Sequence, residues 1–551
     1  MNNFRRLLLY VVLIFVSVNL YTNWVHRNDN IPAKSTPDVS LLPEMKLSTN
    51  SGGALSDKHR YVRVDTPKME VLIDKVGARI VNARLKDYSL LVGSDQLVDV
   101  LTNDPANPFV ASAGFSGDSD LVFTSSSNYY ELSDKATRIT LSSISSQGIL
   151  HEKSFVFSPS AYTIKTESTI KNKGTHPWTA NFYMNLMAKK TMAFNEKEGL
   201  PDPSSFIAGE AKSLSSSMFT FNTFTGAAYY SNDHSYEKIP YKSIASEPVN
   251  LQAKKSWIAI QKRYFITTWI PKDDNNTYQI NGTWVSGLSN ERKDAVQAFN
   301  YSMIGPQNVI QPGDKAHYSA TLYAGPEITK NLSGLASGLD KTIDYGFLWM
   351  ISSFLFTLLE WIYRYIPNWG WSIVILTFLI KIVFYKFSES SYRSLAKMKK
   401  INPRIQAIQE NYKDDASAKN QAIMELYKKE KVNPLGGCLP MLLQIPFFIA
   451  LYYVLIEAIQ LRHAPFLWVV DLAAKDPYYI LPVLMGASFL LQQRMSPAPQ
   501  DPVQANMMLA LPVVFTALFS QFPAGLVLYW FMNNTFSILQ QWLFLTMHPD
   551  E

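Results

Sequence analysis

The stretch 369–387, WGWSIVILTFLIKIVFYKF, is apolar enough to enter a lipid bilayer, yet it carries Lys381. A lysine inside a spanning helix costs roughly 2.5 to 3.5 kcal/mol on insertion scales, so it normally faces a bundle interior or a wet cavity. A lysine near a helix end can instead extend its apolar stem toward the lipid headgroups. The stretch alone leaves both interpretations open, and the neighbouring segments decide between them.

Further apolar runs follow this stretch and carry recurrent polar residues. Hydrogen bonding between helices explains most such residues in membrane proteins. Here they accompany an intramembrane lysine in a small bundle, which favours a partly hydrated groove that serves both. The runs are 439–459, 478–491, 507–519 and 525–545.

The segment 388–434 carries ten Lys and Arg residues against six Asp and Glu. An excess of basic residues in a short loop beside a spanning helix marks the cytoplasmic side. Apolar residues recur at helical spacing in both halves of the segment, which predicts a charged helical hairpin. It is either a solvated connector or a docking arm.

Arg5 and Arg6 precede an apolar run that ends at Val25. Two arginines before such a run favour a cytoplasmic N-terminus. The alternative is a cleaved signal peptide, but no small-residue cleavage site follows the run. We therefore predict an uncleaved signal anchor. The next stretch is rich in Ser, Thr, Pro, Asn and Gly, which is typical of a flexible tether.

The long middle of the chain has the alternation typical of β-strands. Examples are 80–85, 162–170, 264–270 and 318–323, with turn residues such as Asn281-Gly282 between such runs. Many short strands with few helical patterns predict a large β-sandwich. Aromatic residues are abundant there; they could line a sugar or peptide cleft, although core packing is their more common role.

Helical periodicity returns between this domain and the Lys381 stretch. Apolar residues such as Phe347, Leu355 and Ile362 fall largely on one side, with Ser353, Glu360 and others on the opposite side. If this segment spanned the membrane, the basic hairpin would face outward. We therefore predict an amphipathic helix lying on the outer membrane surface.

Composition excludes several classes of function. Cys438 is the sole cysteine, which rules out an intrachain disulfide and any cysteine-built metal centre. The middle domain is nearly neutral, so it offers no basis for nucleic-acid reading. No Walker-type loop and no His pair at helical metal-site spacing occurs. We predict no cofactor, no metal and no enzymatic activity.

Ordered motifs in the second half resemble the signature of the YidC/Oxa/Alb family of membrane protein insertases. They are KVNPLGGCLP at 431–440, LLQIP at 442–446, ALY at 450–452, DPYYILP at 476–482, MSP at 495–497 and FPAGLVLYW at 522–530. The middle domain resembles the periplasmic domain of the Gram-negative YidC branch in softer features, WIP at 269–271 and GPE at 325–327.

The resemblance implies a multi-domain membrane protein. Its α-helical transmembrane bundle has six spans with a five-helix insertase core, and a large periplasmic β-supersandwich is attached to it. The predicted parts are a signal anchor (1–26), a flexible linker (27–58), the β-sandwich domain (59–330), an interfacial amphipathic helix (331–366), a core transmembrane helix with Lys381 (367–387), a cytoplasmic hairpin (388–434) and four further transmembrane helices (435–551). Both termini would lie in the cytoplasm, with residues 27–345 in the periplasm of a bacterial inner membrane protein.

The resemblance also implies an insertase and chaperone mechanism. A hydrophilic groove, open to the cytoplasm and to lipid, receives hydrophobic segments of newly made proteins and releases them sideways into the membrane, alone or with the Sec translocon. Lys381 matches the basic residue of that groove. The other implied groove residues are Thr377, Gln444, Gln492, Asn533, Gln540, Tyr529 and Trp530. The implied docking residues of the hairpin are Arg393, Lys397, Lys399, Lys400, Arg404, Lys428, Lys429 and Lys431.

Implied partners are client membrane proteins, the Sec translocon, the ribosome or signal recognition pathway, and lipid. The sequence departs from the family in two places here: many relatives carry arginine at the Lys381 position, and Tyr385 is followed by Lys386 where proline is usual.

Two other interpretations stay open. One is a transporter or channel that uses Lys381 as an ion site, although no repeated half is visible. The other is an anchored carbohydrate enzyme with paired carboxylates in the β-domain.

Overall fold

The structure is a computed structural model that describes most of the chain. The described residues are 60–104, 108–189, 224–246, 248–273, 275–286, 297–412, 415–430, 432, 439–495 and 502–548. The predicted signal anchor and linker, most of the 431–440 motif and the docking residue Lys431 lie outside them.

Strands dominate the described residues up to 326 and form two antiparallel-rich sheets. The first sheet has ten strands in the order β14-β17-β18-β11-β5-β3-β2-β1-β7, with β4 beside β3, and the second has nine in the order β13-β12-β15-β16-β19-β10-β9-β8-β6. The strands are β1 Tyr61–Asp65, β2 Met69–Asp74, β3 Arg79–Ser89, β4 Leu97–Leu101, β5 Phe109–Phe115, β6 Thr124–Ser125, β7 Tyr129–Glu131, β8 Thr137–Ile144, β9 Ile149–Phe157, β10 Thr163–Asn172, β11 Trp178–Lys189, β12 Thr225–Ser231, β13 Ser235–Pro240, β14 Val249–Ala253, β15 Trp257–Lys262, β16 Phe265–Pro271, β17 Tyr278–Ser286, β18 Gln297–Ile310 and β19 Lys315–Pro326.

The two sheets pack on a shared apolar core, which confirms the predicted β-sandwich. In β10 every second residue is buried, from Ile164 to Ile170, because alternate side chains point to opposite faces of a strand. Two buried hydrogen bonds join the sheets. Trp269 Nε1 donates to the carbonyl oxygen of Asn185 at 3.0 Å, and the hydroxyl of Tyr301 donates to the carbonyl oxygen of Ala228 at 3.2 Å.

A buried ion pair also joins the sheets. Lys153 on β9 lies 2.8 Å from Asp118, which follows β5, and these side chains are 1% and 0% exposed. Lys153 Nζ also donates to the carbonyl oxygen of Gly77, and the hydroxyl of Tyr183 donates to Asp118 at 2.9 Å. A desolvated pair is tolerated only when further hydrogen bonds satisfy both ions, as they do here.

Helices dominate the chain after residue 328. They are α1 Tyr241–Ser246 within the β-domain, α2 Thr329–Leu332, a 3-10 turn Leu339–Thr342, α3 Trp349–Tyr365, α4 Trp369–Val383, α5 Tyr385–Asn411, α6 Ala416–Lys429, α7 Leu439–Glu457, a 3-10 turn Ile459–Leu461, α8 Ile480–Met495, α9 Pro502–Phe519 and α10 Ala524–Met547. Among the described residues, no helix taken singly combines the length and apolarity needed to cross a membrane, whereas α4 and α5 together meet both criteria.

Helices α4 and α5 are inclined to each other by 67° at Phe384. Asn368 caps the start of α4, because its side chain accepts a hydrogen bond from the amide of Trp371 at 3.1 Å. The first turns of α5 contact α10 through Tyr392, and the helix also pairs with α6. Ile401, Ile405 and Val432 form the small apolar core of this helical pair. The α5–α6 pair occupies the stretch predicted as a hairpin.

Helix α3 buries one face and exposes the other. Its residues Leu355, Leu359 and Ile362 pack into the helical bundle, while Phe354 and Trp361 remain 65% and 50% exposed. The exposed face is mixed, since it also carries Thr357, Glu360 and Arg364, and such an amphipathic pattern is typical of helices that lie at a membrane surface.

A polar joint connects the β-domain to the bundle. Gln261 on β15 donates to the carboxylate of Glu327 at 2.9 Å and to the carbonyl oxygen of Thr342 at 3.0 Å. Lys238 pairs with Asp344 at 2.6 Å. Burial raises the pKa of Glu327 to about 8, so this carboxyl group is largely protonated at neutral pH.

We expect Asp118→Asn to lower the free energy of unfolding of the β-domain by about 3 to 5 kcal/mol, because it strands the buried Lys153 ammonium without a counter-charge. Lys68→Ala, which breaks an exposed pair with Asp87, is the matched control and should change stability by about 1 kcal/mol or less. Hydrogen exchange of the β9 and β11 amides in the full chain measures both. Equal effects of the two variants would contradict this assignment.

We expect Glu327→Gln to stabilise the chain increasingly as pH rises. The pKa of Glu327 is about 8 in the folded state, whereas the ordinary value is about 4.3. Burying Glu327 therefore destabilises the fold little below pH 4.3, and this destabilisation grows with pH until about pH 8. The difference in unfolding midpoint between variant and parent should therefore widen from pH 5 to pH 8. Glu167→Gln should instead destabilise the chain by a constant amount from pH 5 to pH 8, since hydrogen bonds from Arg138 and Lys165 lower the pKa of Glu167 to about 2, and that contribution is lost only as pH falls below about 4.3. A constant difference for Glu327→Gln across this pH range would refute the prediction.

Candidate functional site

Lys381 lies in the last turn of α4 and is only 3% exposed. Its ammonium group donates to the hydroxyl of Ser537 on α10 at 2.7 Å and, more weakly, to the amide oxygen of Gln444 on α7 at 3.4 Å. Among the described residues no carboxylate pairs with it. The side chain therefore points into the bundle, and the interpretation in which it only reaches for headgroups does not fit this arrangement.

Lys381 is thus a buried cation held by neutral oxygens from two neighbouring helices. Desolvating an ammonium costs several kcal/mol, and hydroxyl and amide dipoles offset only part of that cost. The arrangement leaves a strong unneutralised positive field inside the bundle. An incoming carboxylate is the group that such a field attracts most.

Two predicted groove residues contact Lys381 directly. Gln444 accepts from its ammonium group, and Gln540 Nε2 donates to its backbone carbonyl at 3.2 Å. The amide nitrogen of Gln444 and the amide oxygen of Gln540 are buried without a hydrogen-bond partner among the described residues. Each unsatisfied group costs about 1 to 3 kcal/mol, so this cluster retains unused hydrogen-bonding capacity beside the cation.

Ser537 is the closest partner of Lys381 and was not among the predicted groove residues. Its hydroxyl also donates to the carbonyl oxygen of Asn533 at 2.8 Å, and its own carbonyl accepts from the hydroxyl of Tyr392 at 3.1 Å. Asn533, Ser537 and Gln540 fall on one face of α10 because residues at spacings of i, i+4 and i+7 are adjacent on a helix. That spacing is the sequence signal that identifies Ser537.

The remaining predicted groove residues lie at differing distances from the cation. Thr377 is buried one turn before Lys381, where its hydroxyl donates to the carbonyl of Ile373 within the same helix. Gln492 is half-buried on α8, and the hydrogen bonds described for Lys381 do not involve it. Asn534 makes a buried polar contact between α8 and α10, since it donates to the hydroxyl of Ser488 at 3.3 Å.

Tyr529 and Trp530 lie about two turns before Ser537 on α10, roughly 10 Å along the axis. They belong to an aromatic cluster rather than to the polar one. The ring of Phe448 stacks on Tyr529 with centroids 6.3 Å apart and meets Trp530 edge-on at 4.6 Å. An apolar aromatic section therefore adjoins the polar section of the same bundle.

The basic residues predicted for docking lie on α5 and α6, apart from Lys431. Arg404 forms an ion pair with Glu430 at 2.7 Å, which joins α5 to the end of α6. Arg393 lies 3.7 Å from Glu389 on its own helix. Lys397, Lys399, Lys400, Lys428 and Lys429 occupy the same two helices.

Two family profiles cover nearly all of the described chain. The profile described as "YidC periplasmic domain" matches residues 61–358, and the one described as "60Kd inner membrane protein" matches residues 361–551. The chain belongs to the YidC family of membrane protein insertases. The boundary between the two matches falls within α3, at the junction of the β-domain with the helical bundle.

Curated relatives agree along the full length. A membrane protein insertase YidC of Legionella pneumophila (strain Paris) is 38% identical over 99% of this chain and 98% of its own. One of Coxiella burnetii (strain Dugway 5J108-111) is 38% identical over 98% of this chain and 95% of its own. A solved YidC insertase structure aligns with 87% of this chain and 92% of its own at 17% identity and a TM-score of 0.37. Family membership rests on the sequence matches.

Family membership identifies a bacterial inner membrane protein with a periplasmic domain, and it supports membrane protein insertion as its function. The family is not a family of enzymes, which removes the carbohydrate-enzyme alternative. Clients and lipid follow as partners from the same membership.

We expect Lys381→Met to leave the bundle at least as stable as the parent, because an apolar side chain of similar length replaces a buried cation that pairs with no carboxylate among the residues the structure describes. Ser537→Ala, which removes the closest acceptor of that cation, should instead lower stability by about 1 to 3 kcal/mol. Thermal unfolding of the full chain in detergent measures both. Strong destabilisation by Lys381→Met would mean that the ammonium group holds the helices together.

Proposed function

We propose that the cluster around Lys381 is the polar floor of a groove that admits the hydrophilic part of a client protein into the membrane. The single observation that supports this proposal is the buried ammonium group held by Ser537 and Gln444, with no carboxylate paired to it in the described part of the chain. A structural lysine would be expected to have a charged partner, because an unpaired buried charge is costly.

The proposed mechanism shortens the dry path across the bilayer. A polar segment must otherwise cross about 30 Å of hydrocarbon. In the proposed groove, polar groups of the client accept hydrogen bonds from Lys381 in place of some of its present partners. An acidic side chain of the client is also attracted by the positive charge of Lys381. The apolar segment of the client meanwhile leaves sideways along the apolar helices into lipid.

The groove must open for this to happen, since Lys381 is 3% exposed. The unused amide groups of Gln444 and Gln540 favour opening, because a client backbone would satisfy them. The aromatic cluster of Phe448, Tyr529 and Trp530 then forms the apolar side of the path. Rigid aromatic rings suit that role since they offer large contact areas at small conformational entropy cost.

The proposed orientation follows from charge. The α5–α6 pair carries most of the Lys and Arg residues described after residue 328 and belongs in the cytoplasm by the positive-inside rule, whereas the β-domain lies in the periplasm. With the predicted signal anchor, this orientation corresponds to six spans with both termini in the cytoplasm. The lysines of α5 and α6 would receive ribosomes, signal recognition components or clients, and the Sec translocon would be a lateral partner.

We expect Lys381→Ala to reduce insertion of a single-spanning protein with an acidic translocated tail, because the groove loses its attraction for carboxylates. Lys381→Arg should retain activity, since it keeps the charge. The measurement is protease protection of the client in liposomes that contain only the purified chain. Lys386→Ala, which removes an exposed lysine five residues away, is the matched control and should behave like the parent.

A client with a neutral tail tests whether insertion depends on the charge of Lys381 or only on the shape of the groove. Its insertion should fall less in Lys381→Ala than that of the acidic client. If the acidic client is protected equally by the parent and by Lys381→Ala, the charge-based part of the mechanism is wrong.

A further inference from the structure

The connection between α7 and α8 contains a two-residue turn with an exposed leucine at its tip. Phe466 and Val469 exchange two backbone hydrogen bonds of 2.8 and 2.9 Å, which leaves Leu467 and Trp468 as the turn residues. Leu467 has a φ of +52° and is 70% exposed. Of the two turn residues, only Leu467 has a positive φ, and hairpin turns of this kind favour Gly at the first position, since other side chains are strained there.

A strained apolar residue at an exposed tip suggests a role for the exposed side chain itself. Strain at one residue persists only where the surrounding structure fixes it. Here several side-chain hydrogen bonds fix the backbone around the turn. Asp471 is buried and accepts from the amides of His463 and Ala473 at 3.0 and 2.8 Å, and Trp468 Nε1 donates to Asp476 at 3.4 Å.

The base of the turn rests on the first turn of α4. The ring of Phe466 lies directly against Gly370, where even a methyl group would lie 2.1 Å from it, and meets the ring of Trp371 edge-on at 5.6 Å. Asn368 donates to the carbonyl of Pro465 at 3.2 Å. Trp371 is itself 49% exposed, and in an inner membrane protein an uncovered tryptophan at a helix end typically lies at the level of the headgroups.

The β-domain contacts this connection at a different point. Arg462 donates to the carbonyl oxygens of Ser89 and Leu90 at 2.6 and 2.9 Å. This contact places the connection on the periplasmic side, where the β-domain lies. Beyond it, Leu467 and Val470 remain 70% and 52% exposed.

We propose that the Phe466–Val469 turn is a lipid-contact site that inserts Leu467 into the periplasmic leaflet beside the start of α4. Lipid is the occupant because the turn continues the exposed surface of Trp371, and the exposed faces of this bundle meet lipid. Val470 forms the second apolar contact. The rigid turn fixes the depth of the periplasmic end of α4, and through it the depth of Lys381 in the membrane.

The depth of the turn can be measured directly, because the chain has a single cysteine, Cys438. In a Cys438→Ser background, Leu467→Cys is spin-labelled and reconstituted in liposomes of phosphatidylethanolamine and phosphatidylglycerol. Its accessibility to oxygen and to a water-soluble nickel complex is compared with that of Val309→Cys, an exposed position on β18 of the sandwich with 60% exposure.

We expect the label at position 467 to be several-fold more accessible to oxygen, relative to nickel, than the label at position 309. Equal oxygen and nickel accessibility at both positions would place position 467 in water and overturn the proposal. The measurement does not involve clients, so its outcome is independent of whether the groove around Lys381 operates as proposed.

A second variant tests whether the apolar side chain at the tip, rather than the backbone of the turn, holds the turn in lipid. Leu467→Gly suits the positive φ of the first turn position, so the turn should form at least as readily, while the apolar anchor is lost. A label at Val470→Cys in the same background should then move toward water relative to the chain with Leu467. An unchanged depth at position 470 would show that Leu467 does not hold the turn in lipid.

Discussion

The desolvation of one ammonium group is the constraint on which the helical part of this protein depends. Lys381 is buried between α4, α7 and α10 and is held by Ser537 and Gln444. Because neutral oxygens compensate a charge incompletely, the bundle contains a polar section that a purely structural bundle would replace with apolar residues. Under the proposed function, the bundle loses stability there and gains attraction for a charged client segment.

The β-domain shows the contrasting solution to the same problem. Lys153 is as deeply buried as Lys381, but Asp118 lies 2.8 Å away and the carbonyl of Gly77 accepts a further hydrogen bond. A compensated ion of this kind fixes two sheets against each other. The two lysines differ in their partners. Lys153 is paired with a carboxylate and has a structural role, whereas Lys381 is held by neutral oxygens and, under the proposed function, remains available to a client.

The periplasmic ends of the helices are held more rigidly than their polar section. Phe466 packs on Gly370, Asn368 caps α4, and Arg462 ties the α7–α8 connection to the β-domain. Near Lys381, by contrast, Gln444 and Gln540 retain unused hydrogen-bonding groups. Under the proposed function, a framework held by these contacts near the β-domain, with unused hydrogen-bonding groups near the α5–α6 pair, suits a groove that opens on one side only.

The sequence by itself determined the β-sandwich, the position of the intramembrane lysine and the family, because strand alternation, an isolated charge in an apolar run and ordered motifs are local signals. Gln444 and Gln540 were also identified from the sequence. Only the tertiary structure decided that Ser537, 156 residues from Lys381, is its closest partner, and that Tyr529 and Trp530 belong to an aromatic cluster. It also decided that Leu467 is exposed at a strained turn. Contacts between distant segments and backbone angles at a turn depend on how helices pack, and neither is encoded in local periodicity.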